Sequence, residues 1–296
     1  MIKQKLVIID ADGLVYHSSK ETLEESIQVL NEKIQNIYDK TEATYSIFLI
    51  SKGKYFRHAI SNNSYKASRG KYTSSLKYLK SLKAYLEEEY NAQYMIGVEA
   101  DDLCALYMAR KWYYAKFTNP HSDSHWMLTD NIEGCNESLE IDVVLAAVDK
   151  DLLKSIVGTH FNYSYRLEDK TKPESVEKGW WVTTGKRDAE IFQWTQMLMG
   201  DATDGITGIP GIGIKGAEKI ILECELAGKY LPEYILSRYV SHYHSVSKGV
   251  YEFQKNYRLL HLLNTDADFI QETGELPKFP IINKIKPIEI ITAEYI

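Results

Sequence analysis

The sequence predicts an α/β protein: a mostly parallel central sheet flanked by helices on both faces. Three observations predict it. Short apolar runs ending in acids alternate with segments of helical periodicity from the N-terminus to about Met199. The runs are continuous rather than alternating, as expected of strands buried on both faces. Hydrophobic residues make up 44% of 296, enough to bury one large core with a helical appendage.

"KLVIID" (residues 5–10) reads as a central strand. Residues 21–38 place Leu23, Ile27, Leu30, Ile34 and Ile37 on one helical stripe. "YSIFLI" (45–50) is a second strand, and "SKGKYF" after it reads as a turn. Residues 73–90 are helical, with Leu76, Leu79, Leu82 and Leu86 on one stripe and Lys77, Lys80 and Lys83 on the next. "YMIGVE" reads as a strand before a helix at about 100–115, and the polar stretch 119–142 as an irregular insertion. "VVLAAVD" (143–149) is a buried strand, 161–167 and 180–183 are short strands, and 187–199 is a helix. Residues 231–263 are mostly helical, and the tail from 266 is weakly patterned.

No apolar run approaches the roughly eighteen residues of a membrane span, and the N-terminal run is cut short by an acid, unlike a signal peptide. Cys104, Cys135 and Cys224 are odd in number and widely spaced. They suggest neither a disulfide framework nor a metal motif, and fit a reducing cytoplasm. His121, His125 and Cys135 lack a fourth ligand for zinc and read as a solvated loop. Trp180 and Trp181 read as core or edge-strand packing.

The net charge of −6 hides a segregation. Residues 43–86 contain no acid but carry Lys52, Lys54, Arg57, Lys66, Arg69, Lys71, Lys77, Lys80 and Lys83, interleaved with tyrosines. A solvated face usually mixes signs, so a block of one sign points to a phosphate-binding surface. Packing accounts for most of the tyrosines.

In parallel sheets, ligands sit at the carboxyl ends of the strands. Asp10 and Asp12 follow the first strand, Glu99, Asp101 and Asp102 follow "YMIGV", and Asp149 and Asp151 follow "VVLAAV". Asp201 and Asp204 follow the helix that ends at Met199. An acid at a helix start is also an ordinary cap, so Asp101, Asp102 and Asp151 have that second reading. Convergence of all four segments needs divalent cations to offset the repulsion, and all-oxygen ligands favour Mg²⁺ or Mn²⁺. Two such ions suit in-line hydrolysis of a phosphodiester. "GIPGIG" (208–213), with Lys215 and a helix following, matches the turn of a helix-hairpin-helix that approaches phosphate without reading sequence.

Together, "IIDADGLVY", "YFRHAISNNSYKASR", "GVEADDLCA", "AAVDKDL" and "MGDATDGITGIPGIGIKGA" resemble the flap endonuclease and 5′→3′ exonuclease family, and most of all its phage members. The resemblance implies a PIN-like 5′-nuclease fold, with a catalytic domain over 1–199, a basic arch within 52–90, and a helix-hairpin-helix and C-terminal helical region over 200–296. It implies two metal ions held by Asp10, Glu99, Asp101, Asp102, Asp149, Asp151, Asp201 and Asp204. Asp149 and Asp151 are then catalytic, as are Lys66 and Arg69, which reach the scissile phosphate. It also implies that Tyr65 stacks on a terminal base and Arg57 contacts phosphate. Lys77 and Lys80 bind the strand, and Gly208, Gly211, Gly213 and Lys215 grip the duplex, with a K⁺ at the turn. The expected partner is DNA with 5′ ends, flaps or nicks, bound by a monomer in the cytoplasm, that of an infected host for a phage protein. One departure is Ser51, where the family usually carries an Asp; Asp12 is an extra acid beside it. Two other readings are a PIN-type ribonuclease and a catalytically weak DNA-binding accessory protein.

Overall fold

The computed structural model describes residues 4–62, 64–67, 77–118, 125–167 and 176–285. The chain starts with β1 (Lys5–Asp10), α1 (Ala11–Ser18), α2 (Leu23–Thr41) and β2 (Tyr45–Leu49). Thr22 starts α2 with a reciprocal cap: its hydroxyl accepts from Glu25 N while the Glu25 side chain accepts from Thr22 N. A short α3 (Phe56–Ile60) follows the turn expected at "SKGKYF". Of the helix expected over 73–90, α4 (Leu79–Tyr90) accounts for the later part, and residues 73–76 lie outside the described residues.

"YMIGVE" is not a strand. It makes one isolated bridge, Gly97 to Tyr55, with a second at the preceding Gln93 to Leu49, and Gly97 has a φ of +93° that breaks extended pairing. α5 (Ala100–Ala109) ends earlier than expected, and the chain continues as β3 (Tyr113–Phe117), β4 (His125–Thr129) and β5 (Glu137–Glu140). These pair antiparallel in the order β4-β3-β5, so 125–129 and 137–140 of the stretch expected to be irregular are strands; 119–124 lie outside the described residues. All four residues of β5 and the first three of β4 are exposed, so no alternation of buried and exposed positions marked them as strands.

Next come β6 (Asp142–Ala146), α6 (Lys150–Ser155), β7 (Gly158–Leu167), β8 (Val176–Thr184) and α7 (Lys186–Met199). A small ribbon of β9 (Gly200–Asp201) and β10 (Ile206–Thr207) leads to α8 (Ile214–Leu226), α9 (Leu231–Tyr243) and α10 (Val246–Leu260). The weakly patterned tail holds α11 (Asp266–Thr273) and β11 (Asn283–Lys284).

Among the described residues, six strands form the central sheet in the order β11-β2-β1-β6-β7-β8. The inner four are parallel, and the two outer pairings are antiparallel. Alternate residues point to opposite faces. Val7, Ile9, Phe48, Val144 and Ala146 pack against α1, α2 and α4, through Leu14, Leu30, Ile34, Leu82 and Leu86. Leu6, Ile8, Ile47, Leu49 and Leu145 pack on the other face against Leu103 and Leu106 of α5 and Leu152 of α6. Each such side chain contributes about 1.5–3 kcal/mol on burial. A third core joins Trp194, Met197, Ile209, Ile221, Ile235, Tyr239 and Leu259. It ties α7 to the later helices and sets the ribbon beside the carboxyl ends of β1 and β6.

Candidate active site

The carboxyl end of the sheet opens into a cleft of about 640 Å³ lined by Asp10, Asp12, Glu99, Asp101 and Asp149, with Ser51, Lys66 and Lys83. A smaller adjoining space of about 30 Å³ is lined by Asp151, Asp201 and Asp204. Glu99 and Asp101 border both. The four carboxylate segments therefore meet, as the sequence predicts. Asp10 caps α1 by accepting from Asp12 N at 3.1 Å, and Asp149 caps α6 by accepting from Asp151 N at 2.8 Å. Strand ends and helix starts thus hold these acids in place. Gly13 permits it: a Cβ there would lie 2.4 Å from Tyr163 Oη and 3.2 Å from Asp10 Oδ2.

The crowding is visible in the proton affinities. Burial, then the charges of Asp12 and Asp149, push Asp10 up to about 8. Burial and Asp149 push Asp151 up to about 7. Burial also raises Asp101, helped by Asp10, Glu99 and Asp149 and opposed by Lys66. Such a set of oxygen donors fits a hard divalent cation, whose charge would let these carboxylates ionise together. Among the described residues, no three acids, cysteines or histidines stand ready-made as a metal cage. Lysines hold several of the acids instead. Lys66 pairs with Glu99 and lies 3.8 Å from Asp204, Lys150 lies 3.3 Å from Asp201, and Lys83 lies 2.6 Å from Asp12.

Lys66 sits where the segment 64–67 meets the ribbon, in a left-handed conformation with φ of +53°, its N–H donating to Asp204 O at 3.0 Å. Burial works against its charge, but Glu99 keeps its ammonium well above the usual lysine range. Burial likewise opposes the Glu99 charge, yet Lys66 and Arg57 hold that carboxyl below its usual range.

Three sequence expectations change here. Arg57 does not face DNA: it is 1% exposed, and its guanidinium donates to Asp102 Oδ1 and Oδ2 at 2.7 Å each, to Glu99, and to the carbonyls of Leu259 and His261. All five donors are spent inside the protein. Asp102 is fully buried, and besides Arg57 it accepts from the backbone of Glu99 and Leu263. It positions the start of α5 and has no room to ligate a metal. Tyr65 is 4% exposed and donates to Glu99 Oε2 at 2.7 Å, so its ring packs and does not stack on a base.

Ser51, where the sequence reading expected an acid, bonds to the backbone and to neighbouring side chains instead. Its hydroxyl accepts from Ala100 N at 2.8 Å and so caps α5. Its own N–H donates to Asp12 at 3.1 Å, and its carbonyl accepts from Lys83 at 2.7 Å. Lys83, Lys150 and Gln196, which donates to Asp151 at 2.9 Å, are site residues that the sequence reading did not single out. Lys150 could have been found from its place between Asp149 and Asp151, and Lys83 from its stripe with Lys77 and Lys80. Lys77 and Lys80 themselves are exposed, on or beside α4.

At the glycine turn, Gly208 is buried. A Cβ on it would lie 2.4 Å from Gly200 N and from Leu198 O, so this glycine serves backbone crossing and not DNA contact. Gly211, with φ of +85°, and Gly213 have open space around them and are exposed, as is Lys215 at the start of α8. Arg69 and His121 lie outside the described residues. His125 stacks on Phe117.

No family model matches this sequence, and no curated protein sequence matches it. Solved structures do. Bacteriophage T5 flap endonuclease, in a pseudo-enzyme–product complex with DNA and metal ions, aligns with a TM-score of 0.59 at 21% identity over 92% of this chain and 94% of that one. The T5 protein co-crystallized with metal ions aligns at 0.56 and 22%, over 92% and 94% of the two chains. T5 5′-exonuclease with bound zinc aligns at 0.56 and 22%, over 88% and 90%. The chain has the PIN-like α/β fold of the phage T5 5′-exonuclease.

Proposed function

We propose that this chain is a divalent-metal-dependent 5′ nuclease that hydrolyses DNA phosphodiesters at or near 5′ ends and flaps. One observation carries this reading: acids from four distant segments surround two adjoining spaces that share Glu99 and Asp101. The likeness in fold to proteins crystallised with DNA and metal ions supports it.

Asp10, Glu99, Asp101 and Asp149 would hold one ion, and Asp151, Asp201 and Asp204 a second, with Glu99 and Asp101 between them. Mg²⁺ or Mn²⁺ there would supply an activated water and a counter-charge for the leaving oxygen. The chain's own groups do the rest. Lys66 stays protonated beside the shared acids, so it can exchange Glu99 for a non-bridging phosphate oxygen and steady the charge that grows there. Lys83 keeps Asp12 neutralised at the Ser51 side, where phosphate meets less repulsion. Gly211, Gly213 and Lys215 offer exposed backbone and an ammonium at the N-terminus of α8 to duplex phosphates, while Lys77, Lys80 and Arg69 extend the basic surface. Domain 1–199 would carry most of the cleavage site, and 200–296 would add Asp201 and Asp204 to it and supply the duplex grip.

The test is incubation with a 5′-labelled flap, a nicked duplex and a single-stranded RNA, each with and without Mg²⁺. Release of label from DNA alone, and only with metal, is expected. Cleavage of RNA alone would make the chain a ribonuclease, and tight binding of DNA without cutting would make it an accessory protein.

A further inference from the structure

Tyr16 and His17 form the outer rim of the acid cleft. Past this rim, Lys33 of α2 turns under the β7–β8 hairpin. It is 6% exposed, and its ammonium lies 3.8 Å from the centroid of the Tyr165 ring. Lys178 lies 5.8 Å from the same ring, which is itself 42% exposed. The frame is fixed, since Asn36 of α2 donates to Lys178 O at 3.2 Å. No carboxylate lies within ion-pair distance of Lys33 or Lys178 among the described residues. Glu32, the acid that acts on the Tyr165 hydroxyl, accepts from Gln28. Burial, then repulsion from Lys20 and Lys178, hold the Lys33 ammonium below the usual lysine range. The same lysine lowers His17, after partial burial.

A cation so deeply placed is costly unless an anion meets it. Here two ammonium groups share one ring, and among the described residues Lys33 is met only by the Tyr165 ring face. We propose that Lys33 and Lys178, set around Tyr165, bind the backbone phosphates of a DNA strand running out of the acid cleft over the His17 rim. Ammonium groups around an exposed aromatic ring suit a run of phosphate, base and phosphate better than a lone anion. The inference rests on the nuclease reading and extends it.

The experiment uses the full chain carrying Asp149→Asn, which is expected to bind without cutting. Affinity for a long single strand and for a short oligonucleotide confined to the cleft is measured by fluorescence anisotropy across a salt series. Lys178→Gln, at an exposed position, is compared with Lys33→Met/Lys178→Gln, in which methionine keeps the packing of the buried stem. Each lost phosphate contact should reduce the salt slope on the long strand by about 0.7, and the double variant should lose about tenfold in affinity. The short oligonucleotide should bind as before. Unchanged slopes for both variants, with strong binding by the parent, overturn the patch and leave the nuclease reading standing. A parent that binds no DNA, in a chain that also fails to cut, overturns both. Inorganic phosphate is the second probe: if it protects Lys178, the exposed member of the patch, from chemical modification while the DNA slopes stay unchanged, the patch takes free phosphate and the strand assignment falls.

Discussion

The Arg57 guanidinium meets the Asp102 carboxylate through two parallel bonds of 2.7 Å, with both side chains essentially inaccessible to water. The pair ties α3 to the start of α5, and through Leu259 O and His261 O it reaches the end of α10. Breaking it strands a buried charge. Asp102→Ala should cost about 3–5 kcal/mol of stability, read from urea unfolding. Asp149→Ala, which removes one member of a repelling cluster, should cost far less. A loss below about 1 kcal/mol at Asp102 would show that Arg57 can reach solvent or substrate instead.

Lys83 gives a second prediction. It neutralises Asp12 beside Ser51, so Lys83→Met should leave the cleft more negative. The half-saturating Mg²⁺ concentration for cleavage should fall about threefold to tenfold, while the KM for DNA rises. Both constants moving in the same direction would contradict this role.

Proton affinities give a third. Asp10 is raised to about 8 and Asp151 to about 7, so each binds more protons folded than unfolded above about pH 4. Their stabilisation is full at low pH and is lost as pH rises through 7 to 8. Glu99 and Asp201 are held down, so their contribution changes only at acidic pH, below this window. The lowered histidines His17, His160 and His261 act oppositely, gaining stability as pH rises through about 6.5, where their effect is complete by neutrality. With chelator present, Tm should therefore fall between about pH 7 and 8.5. Mg²⁺ should raise Tm more at the upper end than at pH 6. A Tm that climbs with pH in chelator would contradict the crowding of these acids.

The glycine turn separates structure from binding. Gly208→Ala forces a Cβ onto Gly200 N and Leu198 O and should destabilise by about 1–3 kcal/mol. Gly213→Ala has open space and should be nearly neutral in stability. Lys215→Ala should leave Tm unchanged and reduce the salt slope of duplex binding by about 0.9, measured by anisotropy.

The sheet core was legible because β1, β2 and β6 are unbroken apolar runs, and the acids that follow β1 and β6 announced the cleft. β3, β4 and β5 were not, since strands with a wet face such as "ESLE" carry no apolar run. Arg57 and Tyr65 were misread for a different reason. A basic block looks like a surface, and only the fold shows that one of its members turns inward to meet Asp102 and another to meet Glu99. Ser51 was noticed only as a serine where an acid was expected; its capping of Ala100 N, 49 residues away, is a tertiary fact.

The central claim is that Asp10, Glu99, Asp101, Asp149, Asp151, Asp201 and Asp204 gather to hold divalent cations. Anomalous diffraction from crystals soaked in Mn²⁺ tests it most directly. The account predicts ions in the two spaces that share Glu99 and Asp101, with Lys66 swung away from Glu99. Saturating Mn²⁺ that leaves both spaces empty, with Lys66 still on Glu99 and Lys150 still on Asp201, would contradict it.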